Sequence, residues 1–346
     1  MSAFDPSGVG IKGSLFGFPY TESEAELIIV PMPWDVTVSY GGGTANGPQA
    51  ILEASTQLDF SLYGLHQPWE LRSFMVDHES LLATSWSFRE QAAAIIEQLE
   101  AGKEVDTHEL ETINQACEQM VDAGYELASK WLGKGKRVAF LGGDHSTPLG
   151  LIRALSEWQE FGILQIDAHM DLRAAYEGFQ YSHASIMHHA IREPGVSSIT
   201  QVGIRDYCEE ETSLVETSAK PVFVFYDDQV KAGLMEGQTW QQWVEKIIDT
   251  LPDQVYISFD IDGLQPQLCP NTGTPVPGGL SFEEADYLIR SVVKAGKKII
   301  GFDLSEVSPG SNEWDANVGA RVLFRLCSYL GLSVGSLSWD PAPVNP

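Results

Sequence analysis

The chain has 346 residues and a formal charge of −27, with 48 acidic against 21 basic side chains. Its length allows one large buried core, its 43% hydrophobic content is that of a globular protein, and its acid excess argues against a nucleic-acid or anionic-membrane surface. No apolar run is long enough to span a bilayer and residues 1–18 lack the pattern of a secretory leader, so a cytoplasmic protein is expected. Cys117, Cys208, Cys269 and Cys327 are scattered and form no CxxC pair, which disfavours thiolate metal sites and suits free buried thiols.

Residues 1–24 are rich in Gly, Pro and Phe without periodicity, and read as an N-terminal arm suited to packing on a neighbouring copy. Residues 25–346 read as one domain, with no repeat and no linker. The run Leu27 to Met32 is the first expected strand, followed by a glycine turn at 40–44 and a helix near 48–54. Helices are expected at 89–101 and 107–132, then a strand at 136–141, a helix at 147–158 and a strand at 161–167. Further strands are expected at 199–204, 221–226, 254–260 and 298–304, with helices at 238–250, 281–295 and 315–330. Strand–helix alternation of this kind implies an α/β/α sandwich with a mainly parallel central sheet, whose ligands bind beyond the carboxyl ends of the strands. The Pro- and Gly-rich stretch 266–279 reads as an ordered loop over such a site.

Three motifs fall at those strand ends: Gly142-Gly143-Asp144-His145-Ser146, Asp167-Ala168-His169-Met170-Asp171 and Ser258-Phe259-Asp260-Ile261-Asp262. In extended backbone, residues two apart share a face, so Asp167, His169 and Asp171 converge, as do Asp260 and Asp262. Four carboxylates gathered in a cleft repel one another unless cations balance them. Two divalent ions per chain fit that charge, and the oxygen and imidazole donor set favours Mn, Ni, Co or Fe over a structural zinc. Two such ions side by side make water a nucleophile near neutral pH, suited to attack on a planar carbon bearing nitrogen.

These motifs, followed by Asn271-Thr272-Gly273-Thr274-Pro275 and Pro277-Gly278-Gly279, resemble the ureohydrolase family of arginases, agmatinases and guanidine hydrolases, from about Ile28 to Leu330. The resemblance implies a three-layer α/β/α fold and a homotrimer or homohexamer. It implies one metal held by His145, Asp167, Asp171 and Asp260, and a second held by His169, Asp167, Asp260 and Asp262, with Asp167 and Asp260 bridging. It also implies that His183 carries a proton to the leaving amine and that Glu306 grips the guanidinium, where a carboxylate can accept two parallel N–H bonds. The implied ions are Mn or Ni, and an accessory protein that loads them is compatible with this reading. Gln265 and Ala184 depart from the family's usual Asp and Gly.

Three residues bear on the substrate, expected to be a small cationic guanidino compound. Arg173 stands where arginases carry an Asn, against arginine as substrate; it suits either a carboxylate-tailed substrate or pairing with a nearby acid. Trp314 suits either a pocket wall that shortens the site, with a cation–π attraction of about 0.5–2 kcal/mol, or a core contact at a helix start. Thr274 belongs to the substrate side of the loop. Free guanidine or a short alkylguanidine is the leading expectation, then agmatine, then guanidinobutyrate or formimidoylglutamate. The rivals are a single-metal amide deacetylase, which would lack the second histidine ligand, and a catalytically silent partner subunit. The pair His188-His189 is read as packing, since adjacent helical residues point about 100° apart.

Overall fold

The computed structural model describes residues 4–77 and 79–341. Its strands are β1 (Leu27–Met32), β2 (Leu65–His66), β3 (Ser73–Met75), β4 (Arg137–Gly142), β5 (Phe161–Ile166), β6 (Val196–Ile204), β7 (Val222–Tyr226), β8 (Gln254–Asp260), β9 (Lys298–Ser305) and β10 (Ser338–Trp339). The helices are α1 (Gly47–Ser55), α2 (Glu79–Glu100), α3 (Thr107–Leu132), α4 (Leu149–Ser156), α5 (Ile186–Ala190), α6 (Glu209–Thr217), α7 (Asp227–Met235), α8 (Trp240–Asp249), α9 (Phe282–Lys294) and α10 (Trp314–Ser333).

Eight strands form one sheet in the order β3-β1-β4-β9-β8-β5-β6-β7, and every pairing in it is parallel. Strands buried on both faces read as continuous apolar runs; Leu27-Ile28-Ile29-Val30 is such a run and is fully buried. Two apolar clusters fill the two faces, one against α1, α9 and α10, the other against α2, α3, α4 and α5. The expected α/β/α sandwich is therefore what forms. Among the described residues, no helix is long and apolar enough to cross a membrane.

Four differences from the expected elements have physical causes. Helix α2 starts ten residues earlier than the expected 89, in a Ser- and Thr-rich stretch whose propensity is poor. Its burial of Leu81, Ser85, Ala92 and Ile96 on one side overrides that propensity. Helices α6 and α7 are short and polar, and begin with three and two acidic residues that suit a helix N-terminus. Strand β3 is a three-residue edge, too short to give a period. The opening segment also departs from its expected use: Leu15, Phe16 and Phe18 are buried in this chain's own core, with Phe16 5.1 Å from the ring of Phe324. Each such side chain contributes roughly 1.5–3 kcal/mol.

Candidate metal and active site

Four neighbouring strands, β4, β9, β8 and β5, deliver the three motifs and Glu306 to one end of the sheet. His145 is buried, and its Nδ1 lies 2.9 Å from Asp167 Oδ2, 2.9 Å from Asp171 Oδ2 and 3.3 Å from Asp260 Oδ2. His169 Nδ1 lies 3.1 Å from Asp262 Oδ2 and 3.6 Å from Asp167 Oδ1. Asp167 thus turns one oxygen to each imidazole. Two groups of donors follow, His145 with Asp167 and Asp260, and Asp167 with His169 and Asp262, each with its ligand atoms within 4.8 Å of one another. All six residues expected as ligands are together.

The donors are held by bonds that leave a lone pair facing inward. Asp167 accepts the backbone N–H of His169 on Oδ1 and the side-chain amide of Gln165 on Oδ2. Asp262 accepts the Ala168 N–H on Oδ1, freeing Oδ2 for the His169 side. Asp260 accepts the Asp262 N–H on Oδ1 and turns Oδ2 toward His145. Asp171 and Glu306 have left-handed backbone, φ +56° and +65°, which costs a non-glycine residue about 1 kcal/mol or more. The expenditure falls where side chains must be aimed.

The electrostatics have one origin, carboxylates crowded around two imidazoles without solvent. Burial would depress His145, but Asp167 and Asp171 outweigh it and hold the ring well above its ordinary pKa; burial of His169 is likewise outweighed, by Asp262 and Asp167. Burial and the charge of Asp167 push Asp171 up to about 7, and burial with Asp262 raises Asp260. Burial opposes ionisation of Asp167 too, yet His145 and His169 bring its pKa below the usual range. His145 Nδ1 is buried without a hydrogen-bond partner among the described residues, despite three oxygens within 3.3 Å. That arrangement fits a shared cation better than a hydrogen-bond network.

Beside the donors lies a cavity of about 130 Å³, lined by His169, Asp171, Arg173, His183, Tyr207 and Thr274 among others. A larger cavity of about 550 Å³ lies at the β3 edge, and none of the donors lines it. Arg173 packs over the Tyr176 ring with Nε 3.9 Å from Glu211, a long contact that leans toward pairing with an acid. Thr274 Oγ1 is 3.5 Å from Asp262 Oδ2. His183 is pulled down to about 3, by burial first and then by the charges of His169 and His145. Glu306 is not among the lining residues. Its Oε1 accepts the His145 N–H, and its Oε2 is buried without a donor beside Gly273, under the turn containing Gly41. Burial and then Asp144 raise its pKa well above the ordinary value.

Trp314 is where the structure corrects the sequence reading. It is 47% exposed at the start of α10, gives its indole N–H to the Gln267 carbonyl, and is not a wall of the cavity. A helix-starting aromatic beside a loop was free to turn either way. Trp314→Ala is accordingly expected to leave urea release within about twofold, as surface substitutions usually do; a tenfold loss in a kinetic assay would return Trp314 to the pocket. The expected packing role of His188 and His189 agrees with their bonds to the Leu172 and Gln180 carbonyls.

The loop 266–279 is tied down as expected of an ordered cover. The Arg205 guanidinium donates to the carbonyls of Asp262, Leu264 and Val276, Asp315 accepts from Asn271, and Thr272 donates to the Glu306 carbonyl.

The family model that matches, described as the arginase family, spans residues 25–328. The chain belongs to the arginase family. It is thus a ureohydrolase, a hydrolase of C–N bonds in linear amidines. It is 31% identical to the N(1)-aminopropylagmatine ureohydrolase of Thermus thermophilus over 92% of this chain and 94% of that protein. It is also 31% identical to the agmatinase of Neisseria meningitidis, over 89% of this chain and 88% of the relative. Among solved structures, the agmatine ureohydrolase of Thermoplasma volcanium superposes with a TM-score of 0.65 at 25% identity, covering 94% of both chains. Proclavaminate amidinohydrolase of Streptomyces clavuligerus shares the fold, with a TM-score of 0.67 at 23% identity over 94% of both chains.

Three buried polar side chains touch or adjoin the donors without having been singled out from the sequence. Gln165, Ser258 and Asp303 are fully buried polar side chains inside otherwise apolar strands. The signal was present: Gln165 is two residues before Asp167 and Ser258 two before Asp260, so each shares a face with a donor.

Proposed function

We propose that this ureohydrolase cleaves a C–N bond of a small cationic guanidino compound to release urea, using two divalent ions, Mn or Ni. The observation that carries the reading is Asp167, which offers a separate oxygen to each of two imidazoles. One ion would be held by His145, Asp167, Asp171 and Asp260, the other by His169, Asp167 and Asp262. When bound, such a pair supplies the positive charge that lowers the pKa of water to near ~7. The protein's own groups do the rest. Glu306 presents a carboxylate oxygen free to accept guanidinium N–H bonds, and His183, neutral at pH 7, takes up a proton and passes it to the departing nitrogen.

Free guanidine or a short alkylguanidine is the leading substrate. A cavity of about 130 Å³ beside the donors, lined by Thr274 next to the Gly273 that adjoins Glu306 Oε2, supports it, being well below the roughly 300–1,000 Å³ of pockets for larger ligands. Agmatine is the second reading, supported by the names of the relatives. The acidic surface would draw either cation toward a cytoplasmic enzyme's cleft. A homotrimer or homohexamer is part of the proposal, with residues 1–24 as a segment packed on its own domain of 25–346 through Leu15, Phe16 and Phe18. The test is a urea-release assay on guanidine, agmatine, guanidinobutyrate and arginine with enzyme loaded separately with Mn and Ni. Guanidine or agmatine should lead; preference for arginine would overturn the substrate reading, and no urea from any would overturn the activity.

Two further results are expected. Glu306→Gln should lower kcat/KM on the order of 10–100-fold, the scale of a hydrogen bond to a charged group at about 1.5–3 kcal/mol; unchanged kinetics would free Glu306 of its role. Metal binding should release protons, because Asp171 with a pKa of about 7 and the two raised histidines must be deprotonated to act as donors. Affinity for Mn should therefore rise as pH climbs through about 7 and weaken below it. Titration calorimetry in two buffers of different ionisation heat reads the proton count, and a count of zero at pH 7 would contradict the assignment.

A further inference from the structure

Beneath the donors runs a polar row that the proposed chemistry does not itself use. Strand register places Gln201, Gln165, Ser258 and Asp303 side by side across β6, β5, β8 and β9. Registered partners in a parallel sheet project to the same face, and each of the four is fully buried in a layer that is otherwise apolar. A buried polar group without a partner costs about 1–3 kcal/mol, so a row of four is retained only where it is bonded. It is bonded upward, to the donors. Gln201 Nε2 donates to Gln165 Oε1 at 2.6 Å, and Gln165 Nε2 donates to Asp167 Oδ2 at 2.8 Å. Ser258 Oγ lies 2.8 Å from His145 Nε2, and Asp303 Oδ2 lies 3.8 Å from the same nitrogen. Asp303 is itself held by the hydroxyls of Tyr256 at 2.7 Å and Ser305 at 3.2 Å.

We propose that Asp303, through Ser258, is a positioning residue for His145: it fixes the ring with Nε2 protonated and Nδ1 bare toward Asp167 and Asp171. The inference rests on the two-metal reading and deepens it. An imidazole has two tautomers and two flips, of which one combination offers a lone pair to the cleft. A hydroxyl alone accepts or donates equally and selects neither. The Ser258 hydroxyl also hydrogen-bonds Asp303, and an ionised carboxylate accepts only, so the hydroxyl proton turns to Asp303 and its oxygen is left to accept from Nε2–H. Asp303→Asn replaces that acceptor with a group that can donate, and Ser258→Ala cuts the link without touching Asp303.

The experiment titrates Mn²⁺ alone into wild-type, Asp303→Asn and Ser258→Ala proteins, reading stoichiometry and the two affinities by calorimetry and by electron paramagnetic resonance. Circular dichroism and thermal melting serve as fold controls. The expected result is one ion weakened about 10–100-fold in both variants, the scale of an outer partner to a metal-bound histidine, with the other within about twofold. Ser258→Thr, which keeps the hydroxyl, should restore the weakened ion. Two ions bound with wild-type affinity in a folded variant, or both weakened equally, would overturn the inference. Should Asp303→Asn fail to fold, Ser258→Ala and its Thr counterpart decide. Failure of the wild type to bind two ions would instead sink the proposed function, and is read separately in the first titration.

Discussion

Asp167→Ala is expected to lose both ions and with them nearly all urea release. The side chain is fully buried, and its two oxygens face different imidazoles, Oδ2 toward His145 and Oδ1 toward His169. Among the described residues, it is the donor that belongs to both ligand groups, His145 with Asp167 and Asp260, and Asp167 with His169 and Asp262. Metal ions at a reacting centre contribute several kcal/mol of charge stabilisation. At about 1.36 kcal/mol per tenfold, kcat/KM should fall roughly 10³–10⁵-fold. The substitution also strips an acceptor from Gln165 Nε2 and the His169 N–H, so some loss of melting temperature accompanies it. Metal analysis separates the two effects: a folded variant without bound ions and without urea release is the expected outcome. A folded variant that keeps a tenth of the activity would remove Asp167 from the centre of the account.

His183→Ala should lower kcat about 10²–10⁴-fold, the range of a positioned acid–base group, with little change in KM. His183 lines the cavity beside His169 and Asp171, and its pKa of about 3 leaves it neutral at pH 7. A neutral ring can accept a proton and deliver it, but does not store one between turnovers. The sign is therefore distinctive. Loss of His183 should cost most with a poor leaving group, where the departing amine needs its proton, and least with an activated one. Added imidazole should recover part of the rate if the cavity admits it. Equal rises in KM for every substrate, with kcat intact, would make His183 a binding wall instead.

The parallel sheet was legible because its inner strands are buried on both faces and read as apolar runs, and seven of its strands were expected where they lie. The donors were legible because period-two spacing in Asp167-Ala168-His169-Met170-Asp171 survives into the structure without reinterpretation. What escaped was written in single residues. Gln165 and Asp303 lie outside the three motifs and Ser258 only opens one of them, and their meaning appears only when register sets them next to one another. Trp314 escaped for the opposite reason: its chemistry suits a guanidinium, but side-chain direction at a helix start is decided by contacts, here the Gln267 carbonyl. Helix α2 hid its first turns in Ser and Thr, whose cost is offset by Ser85 bonding the buried Asp35.

The most direct test is elemental analysis of enzyme purified with full urea-releasing activity, followed by chelation and reloading. Two divalent transition ions per chain, loss of activity on chelation and its return with Mn or Ni are the expected results. Full activity with no bound metal, or turnover untouched by a chelator, would contradict the two-metal reading.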